Sequence, residues 1–517
     1  MFSKEITEQI TGHNLTPEDI EKQLSFFKRG FIPARLVRPA TIDDGIKVLK
    51  YNDFDELVSF HHEAADAGRI MKFVPSSGAA TRMFEKLETA RKISNFKSLE
   101  DIQNFVNNGK TEFLPVLDFF KKMNRFAFFD DIIAEYKKHR KAKGSRKVYI
   151  EYDDLLDFLI SPEGLNYSDK PKALVKFHKY ETQVRTALEE HLAEAIGYSS
   201  NSKGKINIHF TISPEHIGEI ESHVEKVLPF YESGGYKFSV TYSVQKKSTD
   251  TIAVAINNEL FLDENGNLLF RPGGHGALLE NLMEINGDIV FIKNIDNVVT
   301  EKVLGSTILY KKLLSGNLIK AQSRIFNYLR KIAGGTLKKD EIFEMSEFAE
   351  KELFIPKPAD SGSDAKGLLD YYYKKLNRPI RVCGMVLNQG APGGGPFWVK
   401  FEDNSVSLQI VESAQIDKYN SEQFEIFKKS THFNPVDLVC GIRDFKGKPF
   451  DLRKFRDENA FFISEKAKNG SRLKALELPG LWNGSMADWI TIFIEVPKIT
   501  FSPVKEVNDL LLPEHQP

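Results

Sequence analysis

A chain of 517 residues with 41% hydrophobic and 28% charged residues has the make-up of a water-soluble globular protein that can bury a large core, and its 40 phenylalanines, the one marked bias, read as part of that core. A formal net charge of -1 leaves no basic footprint for nucleic acid or an anionic membrane. Two cysteines, Cys383 and Cys440, are too few for a disulfide framework or a multi-cysteine zinc site; with no apolar signal core at the amino terminus and no run near the roughly 18 apolar residues of a membrane span, the expectation is a cytoplasmic protein without nucleic-acid or membrane partners.

Residues 1–65 read as a helical segment, with Thr16-Pro17-Glu18-Asp19 supplying a cap, a first-turn proline and early acids. Arg69–Pro75 is short, apolar and bounded by turn residues, which predicts a buried strand. It runs directly into Ser76, Ser77, Gly78, Ala79, Ala80, Thr81 and Arg82, small residues followed by a helix-like segment. Small residues at such a turn let backbone N–H groups approach an anion, and the helix start adds its partial positive charge. Phosphate is the guest that suits it, and an ordinary strand-to-helix turn is the plain alternative. The loop is not a Walker loop, because no Gly-Lys-Ser/Thr follows, and it lacks the three-glycine dinucleotide fingerprint.

Residues 85–160 are charged and helically spaced, with Phe113, Leu114, Val116, Leu117, Phe119 and Phe120 crowded together, which predicts a helical insertion. Lys172 lies beside Pro171 at a turn, where a lysine can reach phosphate as a point charge. Lys205–Ser213 and Phe238–Tyr242 alternate as strands do, and Gln245 follows the second. Strands alternating with helices predict an α/β fold.

The stretch Arg271–Asn297 opens on a glycine cluster, continues through an apolar helix-like segment and ends on a buried-type strand, Asp288–Ile292, that delivers Asp296 and Asn297. Ligands of open α/β sheets settle outside the carboxyl ends of the strands, so Asp296 is the first candidate for chemistry. A lone carboxylate there suits Mg²⁺, which takes one or two protein carboxylates and fills its shell with water and phosphate. Farther on, Val303–Lys331 predicts a helix, Pro356–Asp364 a linker and Arg381–Asn388 a strand. Gly390–Pro396 predicts a flexible loop, Phe397–Phe401 and Ser407–Val411 paired strands, and Trp489–Val496 a last strand.

Seven short islands in one order resemble the UDP-sugar pyrophosphorylase family, including UDP-N-acetylhexosamine pyrophosphorylases, within the GT-A-like nucleotidyltransferases. Ser77–Arg82 is similar to that family's GGxGTR loop, Pro171-Lys172-Ala173 to its PKG segment, and Gln245 to its mid-core glutamine. Pro272–Gly276 resembles PDGNGG, Asp296-Asn297 the strand-end DN, Val411–Gln415 the VEYSE segment, and Thr500–Lys505 the EFSPLKN motif. The resemblance implies a GT-A-like, Rossmann-like mixed sheet flanked by helices over residues 66–517, with 85–160 inserted and 381–517 as the C-terminal part of the core. It implies transfer of a nucleotidyl group from a nucleoside triphosphate, UTP-like, to a sugar 1-phosphate with release of pyrophosphate. A GT-A-like glycosyltransferase and a catalytically silent nucleotide-sugar binder are the alternatives.

What the resemblance implies for single residues follows from its motifs. Ser77, Gly78, Ala79, Thr81 and Arg82 would cradle the triphosphate, Lys172 and Lys505 would neutralise it, and Asp296 would hold Mg²⁺. Gln245, Gly274 and His275 would face the nucleoside, while Glu412 and Asn434 would meet the sugar and Asp437 would assist with the metal. Two departures stand out. Ala80 occupies a glycine position of the loop, and its Cβ would narrow the approach to phosphate. His275 stands where the family has asparagine, which offers a different set of donors and acceptors to the base.

Overall fold

The computed structural model describes residues 2–93, 95–143, 150–358, 365–390, 393–433, 437–468 and 470–517. The chain forms two compact units, each made of three stretches of sequence: Met1–Phe73, Thr241–Ile292 and Lys311–Pro497 build the first, and Val74–Val240, Lys293–Tyr310 and Lys498–Pro517 the second.

The first unit is built on a large mixed sheet. Its strands are ordered Thr41–Ile42, Gly45–Lys47, Ile490–Glu495, Ile380–Met385, Asp437–Gly441, Ile289–Ile292 and then the strand that starts at Ile70. The strands at Ile70, Ile289, Ile380 and Ile490 run parallel and Asp437–Gly441 runs against them. Their near-continuous apolar sequences follow from burial on both faces, and Phe73, Val290, Ile292, Cys383, Cys440 and Phe493 share one core with Leu278, Leu279 and Leu282 of the Arg271–Asn297 stretch. A three-stranded antiparallel sheet (Arg35–Pro39, Gly394–Lys400, Val406–Glu412) and a four-stranded one complete the unit.

The mixed α/β class expected from the sequence is the class found, with the strands near their expected positions. The amino-terminal segment differs. Helices Lys4–Gly12 and Pro17–Arg29 form as expected, the second with a full capping box at Thr16 and Asp19. Short strands then occupy residues 35–47, where Leu36, Ala40 and Ile46 are buried against sheet partners that no local periodicity announces. The expected loop Gly390–Pro396 is shorter than supposed: Ala391 and Pro392 lie outside the described residues, and the strand begins at Gly394. Of the expected linker, residues 359–364 lie outside the described residues.

In the second unit the stretch expected to be a helical insertion is helical: Thr81–Ile93, Leu99–Asn107, Leu114–Lys121, Phe129–Ala142 and Tyr152–Ile160. Its core is aromatic. Phe96, Phe113, Phe119, Phe120, Phe126 and Phe128 are all buried, and the parallel pair Phe126–Phe128 packs at 5.1 Å between ring centroids. Leu114, in the same crowded run, is turned outward instead.

One close approach in the first unit is set by a missing side chain. Gly316, in the long helix Glu301–Ala333, faces helix Phe54–Asp66, and a Cβ there would lie 1.9 Å from the Leu57 carbonyl oxygen. One residue earlier Ser315 Oγ meets the buried His61 Nδ1 at 2.7 Å. Gly316→Ala should therefore force the helices apart and lower stability by about 2 kcal/mol or more in denaturant unfolding; an unchanged unfolding midpoint would show that this contact does not set the helix spacing.

Candidate functional site

In the second unit Val74 and Pro75 lead into the small-residue loop, and the loop is fastened to the lysine-bearing turn. Ala80 N–H donates to the Lys170 carbonyl at 2.9 Å, Lys172 N–H to the Gly78 carbonyl at 3.2 Å, and Thr81 Oγ1 to the Ser168 carbonyl at 2.9 Å. Ser76 is tied to the Thr211 carbonyl through both its N–H and its hydroxyl, each at 2.9 Å. Two motifs far apart in sequence are thus one structure. Gly78, Ala79, Thr81 and Arg82 are exposed, and the space beside Gly78 is open. Ala80 is fully buried and is not among the described residues with positive φ, so its backbone does not need the conformational freedom of a glycine.

Asp296 lies just past the strand Ile289–Ile292, where the sequence placed it. Its main chain is clipped on both sides: Ile295 N–H donates to the Pro75 carbonyl at 3.2 Å and Val504 N–H to the Asp296 carbonyl at 2.9 Å, while Asn297 Oδ1 accepts from Ser502 N–H at 3.0 Å. His191, from helix Ala187–Tyr198, adds Nε2 against the Ile295 carbonyl at 3.2 Å. These bonds bring the motif at Thr500–Lys505 onto the carboxylate. Oδ2 accepts from Lys172 Nζ at 3.0 Å and from Lys505 Nζ at 2.9 Å, and Oδ1 is buried without a hydrogen-bond partner.

The electrostatics follow from that geometry. Burial pushes the Asp296 carboxyl upward, and the ammonium groups of Lys172 and Lys505 outweigh it, holding the group below its ordinary value. Burial lowers the affinity of Lys172 for its proton, and the attraction of Asp296 opposes that. The two lysines differ in freedom: the Lys172 side chain is 11% exposed and the Lys505 side chain 61%. Lys505 is held through its backbone, whose N–H donates to Asp509 Oδ2 at 2.7 Å beside that of Glu506 at 2.8 Å. Asp509 was invisible to motif reading, although an acid three residues after the N-cap, here Glu506 before the short helix Val507–Leu511, is the spacing of a capping box.

The nucleoside and sugar candidates fall in the first unit. Gln245 Nε2 donates to the Gly274 carbonyl at 2.9 Å, and Gly274 adopts φ +59°, the left-handed region that glycine enters without strain. His275 stacks parallel on Trp482 at 5.3 Å, and its Nε2 lies 3.9 Å from Glu412 Oε1. That nitrogen is buried against Gly480, where a Cβ would come within 1.9 Å of it. Glu412 ends its strand with its N–H on Gln415 Oε1 at 3.0 Å, and Asn483 Nδ2 reaches the same oxygen at 3.1 Å. Gln245, Gly274, His275 and Glu412 are therefore brought together; Gln415, the last residue of the Val411–Gln415 motif, shapes that cluster with Trp482 and Asn483, which went unnoticed in the sequence. Asn434 lies outside the described residues. Asp437 opens its strand with its carboxylate in a buried ion pair with Lys311.

A cavity of about 480 Å³ also belongs to the first unit, lined by Phe354, Gln409, Gln415, Asp457, Asn483 and Thr491 among others, and none of the candidate site residues that lie among the described residues lines it. Among the described residues no three His, Cys, Asp or Glu side chains converge as a metal cage, and no helix is long and apolar enough to cross a membrane.

Fold and site together define a mixed α/β protein carrying a Lys–Asp–Lys cluster on a buried carboxylate, beside a small-residue loop. The chain belongs to the family described as Domain of unknown function (DUF4301), whose model matches residues 3–516. A comparison with curated proteins gives no match. Among solved structures the chain is similar to the uridine diphosphate N-acetylglucosamine pyrophosphorylase from Trypanosoma brucei in complex with inhibitor: 12% identity over 98% of this chain and 77% of that one, at a TM-score of 0.46. A UDP-glucose phosphorylase from Trypanosoma brucei gives 14% identity over 98% and 77% with a TM-score of 0.44, and a UDP-glucose pyrophosphorylase variant from Leishmania major 12% over 99% and 79%, also at 0.44. At such identities and TM-scores these likenesses assign neither a residue role nor an activity to the chain.

Removing the carboxylate should unmask what it neutralises. Asp296→Asn leaves the nearly buried Lys172 ammonium without a countercharge and should lower stability by roughly 3 kcal/mol. Lys172→Met in the same chain should recover most of that loss, and a single variant as stable as the parent would contradict the neutralisation. The same contribution carries a pH dependence. Because the folded carboxyl sits below its ordinary value, its stabilisation is complete above about pH 4 and fades as the pH falls through the folded value.

Proposed function

We propose that the protein is a sugar-1-phosphate nucleotidyltransferase: a sugar 1-phosphate oxygen attacks the α-phosphorus of a UTP-like nucleoside triphosphate, the bond to the β-phosphate oxygen breaks, and pyrophosphate leaves. The observation that carries this reading is the Lys172–Asp296–Lys505 cluster, which shares a unit and a hydrogen-bonded turn with the exposed loop Gly78–Arg82. Transfer at phosphorus asks the protein for positioning and charge neutralisation rather than a nucleophilic side chain. Lysine ammoniums, an arginine and backbone N–H groups are that equipment.

In this reading Ser77, Gly78, Ala79, Thr81 and Arg82 receive the triphosphate at the start of helix Thr81–Ile93. Lys172 and Lys505 balance charge as it moves onto the departing pyrophosphate, and both stand on one carboxylate oxygen until phosphate oxygens replace it. Asp296 Oδ1 is a buried acceptor with no partner, and it fits a single carboxylate bond to Mg²⁺. When bound, Mg²⁺ would neutralise and orient phosphate oxygens. Asp437 is committed to Lys311, so we assign the metal to Asp296 alone. Gln245, Gly274 and His275 would present the nucleoside surface, and Glu412, carrying His275 at its side, would accept hydrogen bonds from the sugar.

The test is pyrophosphate release from Mg²⁺, a panel of nucleoside triphosphates and a panel of sugar 1-phosphates. At least one pair should release pyrophosphate, and Lys505→Ala should lower kcat/KM by about 10²–10³, the usual effect of deleting one transition-state donor. No release with any pair, or a Lys505→Ala enzyme with parental kinetics, would overturn the proposal.

A further inference from the structure

The carboxyl-terminal stretch of the second unit, Lys498–Pro517, carries Lys505 and is fastened at its far end by a side chain that the nucleotidyltransfer reading does not use. His515 is buried, and its Nδ1 lies 2.9 Å from His178 Nε2. His178 in turn places Nδ1 2.9 Å from Glu190 Oε1, which also accepts from the Tyr180 hydroxyl at 2.8 Å. Glu190 Oε2 takes Arg185 Nη1 at 3.4 Å, and Arg185 pairs onward with Glu301. The groups facing His515 are thus His178 on strand Lys176–Lys179 and the Ser502 carbonyl; behind His178 stand Glu190 on helix Ala187–Tyr198, Tyr180, Arg185, Glu301 and Tyr231, the last over the Arg185 guanidinium at 5.9 Å.

We propose that His515 is a positioning residue: its hydrogen bond to His178 locks the carboxyl-terminal segment down and so presents the Lys505 ammonium to Asp296. Between the two points the segment is one connected piece. Asp509 gathers the N–H groups of Lys505 and Glu506, Gln516 Nε2 donates to the Leu510 carbonyl at 2.6 Å, and Thr300 N–H donates to the Glu514 carbonyl at 3.2 Å. Pulling His515 out of its niche therefore loosens the turn on which Lys505 stands. The consequence for turnover rests on the nucleotidyltransfer reading; the hold on the segment does not.

The lock is chemically able to release in acid. If His178 Nδ1–H serves Glu190, His178 Nε2 accepts from His515 Nδ1–H, and a second proton on His515 would have to sit at the buried Nε2, on the side away from His178. Burial first and His178 second push His515 down to about 3, against a smaller opposing effect of the Ser502 carbonyl. A freed imidazole titrates near 6.5, so the held state is fully favoured above about pH 6.5 and loses ground as the pH falls toward the held value.

The experiment follows hydrogen exchange of the Lys498–Pro517 amides, as protection factors, in the full-length protein at pH 7.5 and 5.5. His515→Ala should lower protection in that segment at least tenfold while the aromatic helical core keeps its own, and should lower kcat for pyrophosphate release. His515→Gln can still donate to His178 Nε2 but cannot take up a proton. It should restore protection at pH 7.5 and remove the acid-induced loss seen in the parent. Parental protection in His515→Ala, or an unchanged acid response in His515→Gln, would overturn the proposal. If no substrate pair releases pyrophosphate and yet the exchange pattern follows these expectations, the reaction is refuted and the lock stands.

Discussion

A carboxylate almost shut off from water must be neutralised where it stands, and the second unit is arranged so that Asp296 is neutralised by two ammonium groups on one of its oxygens. Much of the unit answers to that constraint. The Pro75 and Val504 main chain fixes the height of Asp296, Asn297 draws in Ser502, and the loop at Gly78 holds the turn that carries Lys172. Each ammonium arrives from a different part of the chain, 124 and 209 positions from Asp296 in sequence. Burying one carboxylate thus ties the lysine turn and the carboxyl-terminal segment to a single point.

Two unlike lysines on one oxygen give the site a division of labour. Lys172 is enclosed and its charge is costly, so it depends on a negative partner at all times, first the carboxylate and then, in the proposed reaction, phosphate. Lys505 is mostly solvated and is placed by its backbone turn rather than by packing around the ammonium, so in the proposed reaction it would be the group to follow a departing pyrophosphate. The unpartnered Oδ1 is the remaining unsatisfied element of the cluster, and a divalent cation is the addition that would satisfy it without displacing either lysine.

Much of this was legible in the sequence, for physical reasons that differ by element. Buried strands such as Ile70–Pro75 and Ile289–Ile292 announce themselves because apolar runs bounded by turn residues have few other uses, and the insertion's phenylalanines announce a core that needs many large side chains in little chain length. The strands at residues 35–47 were missed because they gain burial only from distant partners. The order of the motifs placed Lys172, Asp296 and Lys505 in one list. It did not reveal that the lysines bind the carboxylate itself, because pairing across such separations leaves no local pattern. His275 shows the same limit: its identity was plain, whereas its stacking on Trp482 and its buried Nε2 depend on Gly480 and Asn483, which no spacing rule connects to it.

The claim that these lysines exchange their carboxylate for phosphate is tested most directly by nitrogen NMR of the ammonium groups, with Lys172 and Lys505 assigned through arginine substitution. Titration with Mg²⁺ and pyrophosphate should shift both resonances together and saturably, since one ligand takes over from one oxygen. Resonances that stay in place at saturating pyrophosphate would contradict the account, leaving the Lys–Asp–Lys cluster a structural ion pair and nothing more.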